Sequence, residues 1–173
     1  GATPSGNNGS GVLLATAGSH YTFANVASVG NGGYGMVVNL GGGEVGDLLL
    51  TDCNISDNTG AGFKLASVDS IDGMVISGSH FDRNNFGFYN ERGGSASFMR
   101  GLRVSDSTFD GNVNTGSNSG RGFQVEKLTD AVFERVSFSG NQNHGVFFNL
   151  KDGSYTGISF ADCEFNNNTG VGM

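Results

Sequence analysis

The chain of 173 residues has one proline, two cysteines and only nine lysines and arginines. It also has no long apolar run, and each shortage excludes something. Apolar stretches of a few residues fall far short of the roughly 20 needed to span a bilayer as a helix, so no transmembrane helix is expected. Nine dispersed basic residues, a formal charge of −7 and a pI near 4.7 speak against nucleic-acid binding, which needs clustered cations. The Lys-Glu-Ala-Leu clusters of helical bundles are scarce, and 31 glycines with abundant Asn and Ser disfavour long helices. The sequence opens at Gly1 without a basic segment and apolar core behind it, so any export signal is expected to have been removed or to lie outside this sequence.

The glycines follow no Gly-X-Y period, which excludes collagen, and evenly spaced Phe, Val, Ile and Leu argue against a disordered tail. An apolar fraction of 36% suffices for a narrow, continuous core in one domain, residues 1–173. Self-comparison then supplies the organisation. LLLTDCNISDNTGAGF (48–63) matches ISFADCEFNNNTGVGM (158–173) without a gap. The same frame places Asn31, Asn58, Asn84, Asn112, Asn141 and Asn168 in one column, at spacings of 26 to 29 residues. A second column holds Gly35, Gly62, Gly87, Gly122, Gly145 and Gly172, each followed by an apolar residue.

A fixed period in this range marks a solenoid. Two further columns, Tyr21-Leu48-Met74-Leu102-Ala131-Ile158 and Phe23-Leu50-Ile76-Val104-Phe133-Phe160, lie two residues apart in every coil, the mark of a strand with one buried face. Val26-Cys53-Ser79-Ser107-Val136-Cys163 and Ser28-Ile55-Phe81-Phe109-Phe138-Phe165 follow after a change of phase that predicts a bend. Coils that cannot bury their apolar side alone must stack, like residues over like. An Asn at a buried corner then bridges to the next coil and satisfies polar groups that the turn leaves open. Glycine in the second column fits a place where a Cβ would clash. A leucine-rich repeat needs a Leu framework that is absent, and propeller blades need about 40 residues each.

The elements FDRN at 81, FDGN at 109, FSGN at 138 and FNNN at 165, each followed by a small turn and Gly-apolar, resemble the right-handed parallel β-helix repeats of the pectin-lyase-like superfamily over roughly residues 20–173. The resemblance implies an all-β, right-handed parallel β-helix of about six coils. That superfamily includes polysaccharide lyases, galacturonases, mannuronan epimerases, phage tailspikes and bacterial adhesins, so it implies an extracellular or cell-surface location and a polysaccharide or surface glycan as partner. Fold alone restricts function weakly. The Asp-Pro-His element of mannuronan epimerases is absent, since the only proline is Pro4.

Cys53 and Cys163 share a column four coils apart, about 19 Å at the usual strand spacing, too far for a disulfide. Two buried free thiols are expected. Residues 1–18 lack the repeat and are expected to be irregular. Met173 falls midway through a coil, so further coils or another subunit are expected at that end. Two expansions, at 91–100 and 113–121, fall in adjacent coils and are expected to project as loops, where binding sites concentrate.

The candidate catalytic residues gather near these coils: His80, Asp82, Arg83, Asp106 and Asp110. Asp82 and Asp110 share an outward column, and two carboxylates a strand apart suit acid–base work or Ca²⁺, while Ser56 and Ser139 in the same column suit plain solvation. His80 suits proton transfer. Arg92, Arg100 and Arg121 are candidate ligand-binding residues for uronate carboxylates, because a guanidinium fork matches them. No cluster of His ligands appears, so no metal site and no cofactor are expected beyond that Ca²⁺ alternative. A non-catalytic spacer or glycan-binding module is the leading reading; a lyase, epimerase or hydrolase acting on an acidic polysaccharide is the alternative.

Overall fold

The computed structural model describes residues 1–90, 98–116, 118–149 and 155–173. Every strand pairing in it is parallel and joins one coil to the next. One sheet stacks β1 (Val12–Leu14), β3 (Met36–Val38), β5 (Ala61–Leu65), β8 (Phe86–Asn90), β11 (Arg121–Val125) and β13 (Val146–Phe148). The second holds β2 (Gly18–Ala24), β4 (Glu44–Thr51), β6 (Ser70–Asp72), β7 (Val75–Ser77), β9 (Phe98–Arg100), β10 (Arg103–Ser105), β12 (Leu128–Glu134) and β14 (Tyr155–Ala161). A third wall is one bridge wide: Ala27, Asn54, His80, Thr108, Ser137 and Glu164 pair in succession. Six strands in the first sheet enclose about five complete turns, one fewer than the six asparagines suggested, because the first and last coils are partial.

Corners recur because the backbone turns left-handed at the same place in each coil. Asn25, Asp52, Gly78, Asp106, Arg135 and Asp162 form one such column, and Gly30, Asp57, Arg83, Gly111, Gly140 and Asn167 a second, all with positive φ. Asn, Asp and Gly tolerate that region best, so the local sequence sets the bends. A third column, His20, Asp47, Gly73, Gly101, Asp130 and Gly157, bends the second sheet. At Gly73 and Gly101 it divides β6 from β7 and β9 from β10, whereas β14 runs on through Gly157.

Inside, the predicted columns coincide with the register: Tyr21 pairs with Leu48, Leu50 with Ile76, and Phe133 with Phe160. Phe81, Phe109, Phe138 and Phe165 stack nearly parallel at 4.9, 5.3 and 5.4 Å, close to the coil rise. Full burial of one such ring contributes roughly 1.5–3 kcal/mol. The buried serines of the inward column have a cause too, because Ser79 and Ser107 accept the backbone N–H of Cys53 and Ser79. A Cβ on Gly35 would lie 2.3 Å from Ile55 Cγ2 and 2.7 Å from Asn58 Nδ2, so close approach demands glycine in that column.

The asparagines form a continuous ladder. The side-chain oxygens of Asn58, Asn84, Asn112, Asn141 and Asn168 accept the backbone N–H of Asn31, Asn58, Asn84, Asn112 and Asn141 respectively, at 2.9–3.0 Å. Residues 1–18 depart from the expected irregularity. Asn7 donates to Asn31 Oδ1, and β1 pairs with β3, so this segment carries the second half of another coil. Residues 98–100, expected in a projecting loop, instead form β9, while 91–97 lie outside the described residues. Both cysteines are free; Cys53 is buried, whereas Cys163 is only half-buried.

Candidate functional site

The left-handed corner before the third wall turns His80, Thr108 and Ser137 outward, and two residues on it brings Asp82, Asp110 and Ser139 into a neighbouring column. This second column is itself a ladder. Asp82 N–H donates to Ser56 Oγ at 3.1 Å, Asp110 N–H to Asp82 Oδ1 at 2.9 Å, and Ser139 N–H to Asp110 Oδ1 at 2.6 Å. Asp82 also accepts from the Thr108 hydroxyl at 2.8 and 2.9 Å, and Asp110 from the Ser137 hydroxyl at 2.8 Å. Burial raises the Asp110 pKa, helped by the charges of Asp82 and Glu164, against the pull of its bonds from Ser139 and Ser137.

His80 joins this group. Its Nδ1 lies 2.8 Å from Thr108 Oγ1, whose proton is committed to Asp82, so Nδ1 donates and Nε2 is left as the ring's acceptor. The result is a chain from His80 through Thr108 to Asp82. His80 is half-exposed, with a side-chain exposure of 54%, and Asp82 is sheltered at 17%.

The other two candidates of the catalytic set are engaged elsewhere. Arg83 forms a two-pronged pair with Asp57, both contacts 2.7 Å, which raises its pKa. Asp106 is gripped by Arg135 at 2.6 and 2.8 Å, and the guanidinium holds its carboxyl below the usual range. In both pairs the Arg stands one coil after its Asp in the same left-handed column. A shallow groove of about 390 Å³ beside Thr108 is lined by Asp106, Arg135, Ser137, Asp162 and Glu164 and is therefore net acidic.

The arginines expected to read uronates do not converge. Arg100 is exposed, 3.6 Å from Asp72, with its guanidinium over Phe98. Arg121 is only 5% exposed, bonds Gln124 at 2.6 Å and stacks on Phe147, so it offers no outward fork. Arg92 lies outside the described residues. Among the described residues no three His, Cys, Asp or Glu side chains converge as a metal ion would require, and no helix is long and apolar enough to cross a membrane.

A different groove, of about 340 Å³, lies just past the asparagine ladder. Tyr34, Phe86 and Tyr89 line it together with Asn85, Thr115 and Ser119. The sequence carries one signal for it: Tyr34 and Phe86 immediately precede the glycine column, where the other coils have Ala61, Arg121, His144 and Val171. The 113–121 expansion supplies Thr115 and Ser119, and its end, Arg121, begins β11.

A protein-family model described as a right handed beta helix region matches residues 10–173. A search of curated proteins finds no match.

Proposed function

The chain belongs to the right-handed β-helix family, and from that premise we propose that it is a non-catalytic module, a rigid spacer with a glycan-binding surface, of a protein displayed outside the cell or on its surface. One observation carries the reading. The side chains best suited to catalysis are already bound into coil-to-coil ladders and pairs: Asp82 and Asp110 hold backbone N–H groups, and Arg83 and Asp106 hold ion-pair partners. An acidic polysaccharide entering the neighbouring groove would meet Asp106, Asp162 and Glu164 with only Arg135 to offset them, and Arg135 is already paired.

The experiment is incubation with pectate, alginate and neutral glycans, with and without Ca²⁺, following unsaturated uronate absorbance and reducing ends. Retention of a glycan without turnover supports the module. The second reading, a lyase, epimerase or hydrolase, is favoured by the His80-Thr108-Asp82 chain, which would let His80 Nε2 accept a proton while Asp82 steadies the resulting charge. Turnover that disappears in both His80→Gln and Asp82→Ala would establish it and displace the module. Protease shaving of intact cells producing the full-length protein tests the surface location: a protected chain refutes it.

A further inference from the structure

We propose that the groove past the asparagine ladder binds one or two rings of a neutral sugar, through their apolar faces on Tyr34 and Phe86 and their hydroxyls on Asn85, Thr115 and Ser119; this rests on the glycan-binding reading above.

The groove exists because large and small residues alternate between coils. Tyr34 comes from one coil and Phe86 and Tyr89 from the second coil after it, while the coil between contributes only Gly60 and Ala61 at this place. Tyr34 lies across Gly60 so closely that a Cβ there would come within 2.6 Å of its ring. Phe86 and Tyr89 touch at 4.4 Å between ring centres, and the Lys64 ammonium, 3.5 Å from the Tyr89 centroid, holds one face of that ring. Tyr34 remains 37% exposed, one of few large apolar side chains so placed. A concave site with aromatic walls and a few polar groups is the usual form of a small-molecule site, and its volume falls at the lower end of the usual range of about 300–1,000 Å³.

The polar rim selects hydroxyls. Asn85 Nδ2 donates to Thr115 Oγ1, but Asn85 Oδ1 is buried and has no donor among the described residues. A buried acceptor without a partner is costly, and a ligand hydroxyl entering beside Thr115 supplies the missing donor. Charge selects neutrality. Among the described residues no ionised side chain lines the groove, the Lys64 ammonium being engaged on the Tyr89 ring, and the net charge of −7 over the whole chain disfavours a carboxylate or sulfate there. An apolar face with hydroxyls at its edge, and no charge, describes a neutral pyranose.

The chain has four tyrosines and no tryptophan, and Tyr34 and Tyr89 are two of the four, so intrinsic tyrosine fluorescence reports on this groove. The whole protein is titrated with gluco-, manno- and xylo-oligosaccharides and, separately, with oligogalacturonate. We expect saturable binding of at least one neutral series, weakened at least tenfold in Tyr34→Ala and in Thr115→Val, and unchanged in Leu13→Ser, an exposed side chain outside the groove. Tyr34 is exposed, so its loss leaves the fold intact, as a unaltered urea midpoint would verify; Thr115→Val keeps the volume and removes the hydroxyl. Neutral binding that survives both variants, or binding confined to oligogalacturonate, overturns the groove assignment and leaves the module reading standing. Binding to none of these sugars, with no retention in the wider glycan panel, overturns both.

Discussion

Two ladders climb this stack side by side, and they differ in what they demand of the sequence. In the asparagine ladder each backbone N–H donates to the side chain of the following coil; in the Ser56-Asp82-Asp110-Ser139 ladder it donates to the side chain of the preceding one. The first is made of one residue type and the second of two. The difference lies in donors. Asn58, Asn84 and Asn168 also use Nδ2 to reach the carbonyls of Ser28, Ile55 and Phe138 in the preceding coil, so a rung there must accept and donate at once while buried. A rung of the second ladder only has to accept, and every rung but the buried Ser56 is partly exposed, so a hydroxyl or a carboxylate serves equally.

The largest effect should come from removing the donor without the acceptor. Asn112→Asp keeps an oxygen for the Asn84 N–H but loses the 2.8 Å bond from Nδ2 to Asn141 and places a charge at a fully buried site. A loss of about 3 kcal/mol or more is expected, read from the urea midpoint with an unchanged slope. Asn112→Ala, which leaves the Asn84 N–H open, should cost about 2 kcal/mol. The matching change in the other ladder, Asp82→Ser, places there the residue found at Ser56 and Ser139 and should cost under about 1 kcal/mol. Equal losses at the two positions would erase the distinction between the ladders.

Much of this was legible because a repeat reads itself. The six asparagines, the glycines and the inward columns all fall in the register that the pairings display. Asn7 escaped because Pro4 stands where later coils have an apolar or small residue, although Asn7, Gly11 and Val12 keep the spacing of Asn31, Gly35 and Met36. The candidate site was legible as a set of neighbours and not as chemistry. A column tells which residues stack, but whether a carboxylate is free or bound to the next coil depends on which way its corner aims the backbone N–H. That direction emerges only once the left-handed residues at 83, 106 and 135 are placed. The aromatic groove depends on an inserted segment folding beside Tyr34 and Phe86, and insertions lie outside any repeat frame.

A smaller effect, of opposite sign, tests whether charge is dispensable in the second ladder. Asp110→Asn retains the oxygen that accepts from Ser139 and Ser137 and removes a carboxylate whose pKa burial has raised. A carboxyl with a raised folded pKa contributes stability that is fully present below its unfolded value, about 3.9, and lost as pH climbs through the folded value. Wild type and variant should therefore be equally stable near pH 3.5, with the variant the more stable at pH 7. Denaturation curves at the two pH values check this, and a variant less stable at pH 7 would mean that the ladder needs the anion.

The smallest effect separates backbone from charge at the corner beside the ladder. Arg135 holds a left-handed φ of 53°, a conformation costing a non-glycine residue roughly 1–2 kcal/mol, and pairs with Asp106 in the same column. Arg135→Gly removes that strain, but it also removes an exposed ion pair that solvent screens and frees the unfolded chain by about 0.4–1 kcal/mol. The net change should lie within about 0.5 kcal/mol of zero. Salt discriminates between the contributions, because screening weakens the ion pair and leaves the dihedral untouched. Raising the salt from about 0.01 to 1 M should shift the balance toward glycine, so that the variant gains on wild type in urea midpoint. A difference that ignores salt would assign the corner wholly to backbone geometry, and the charge of the arginine there would then be neutral to the fold.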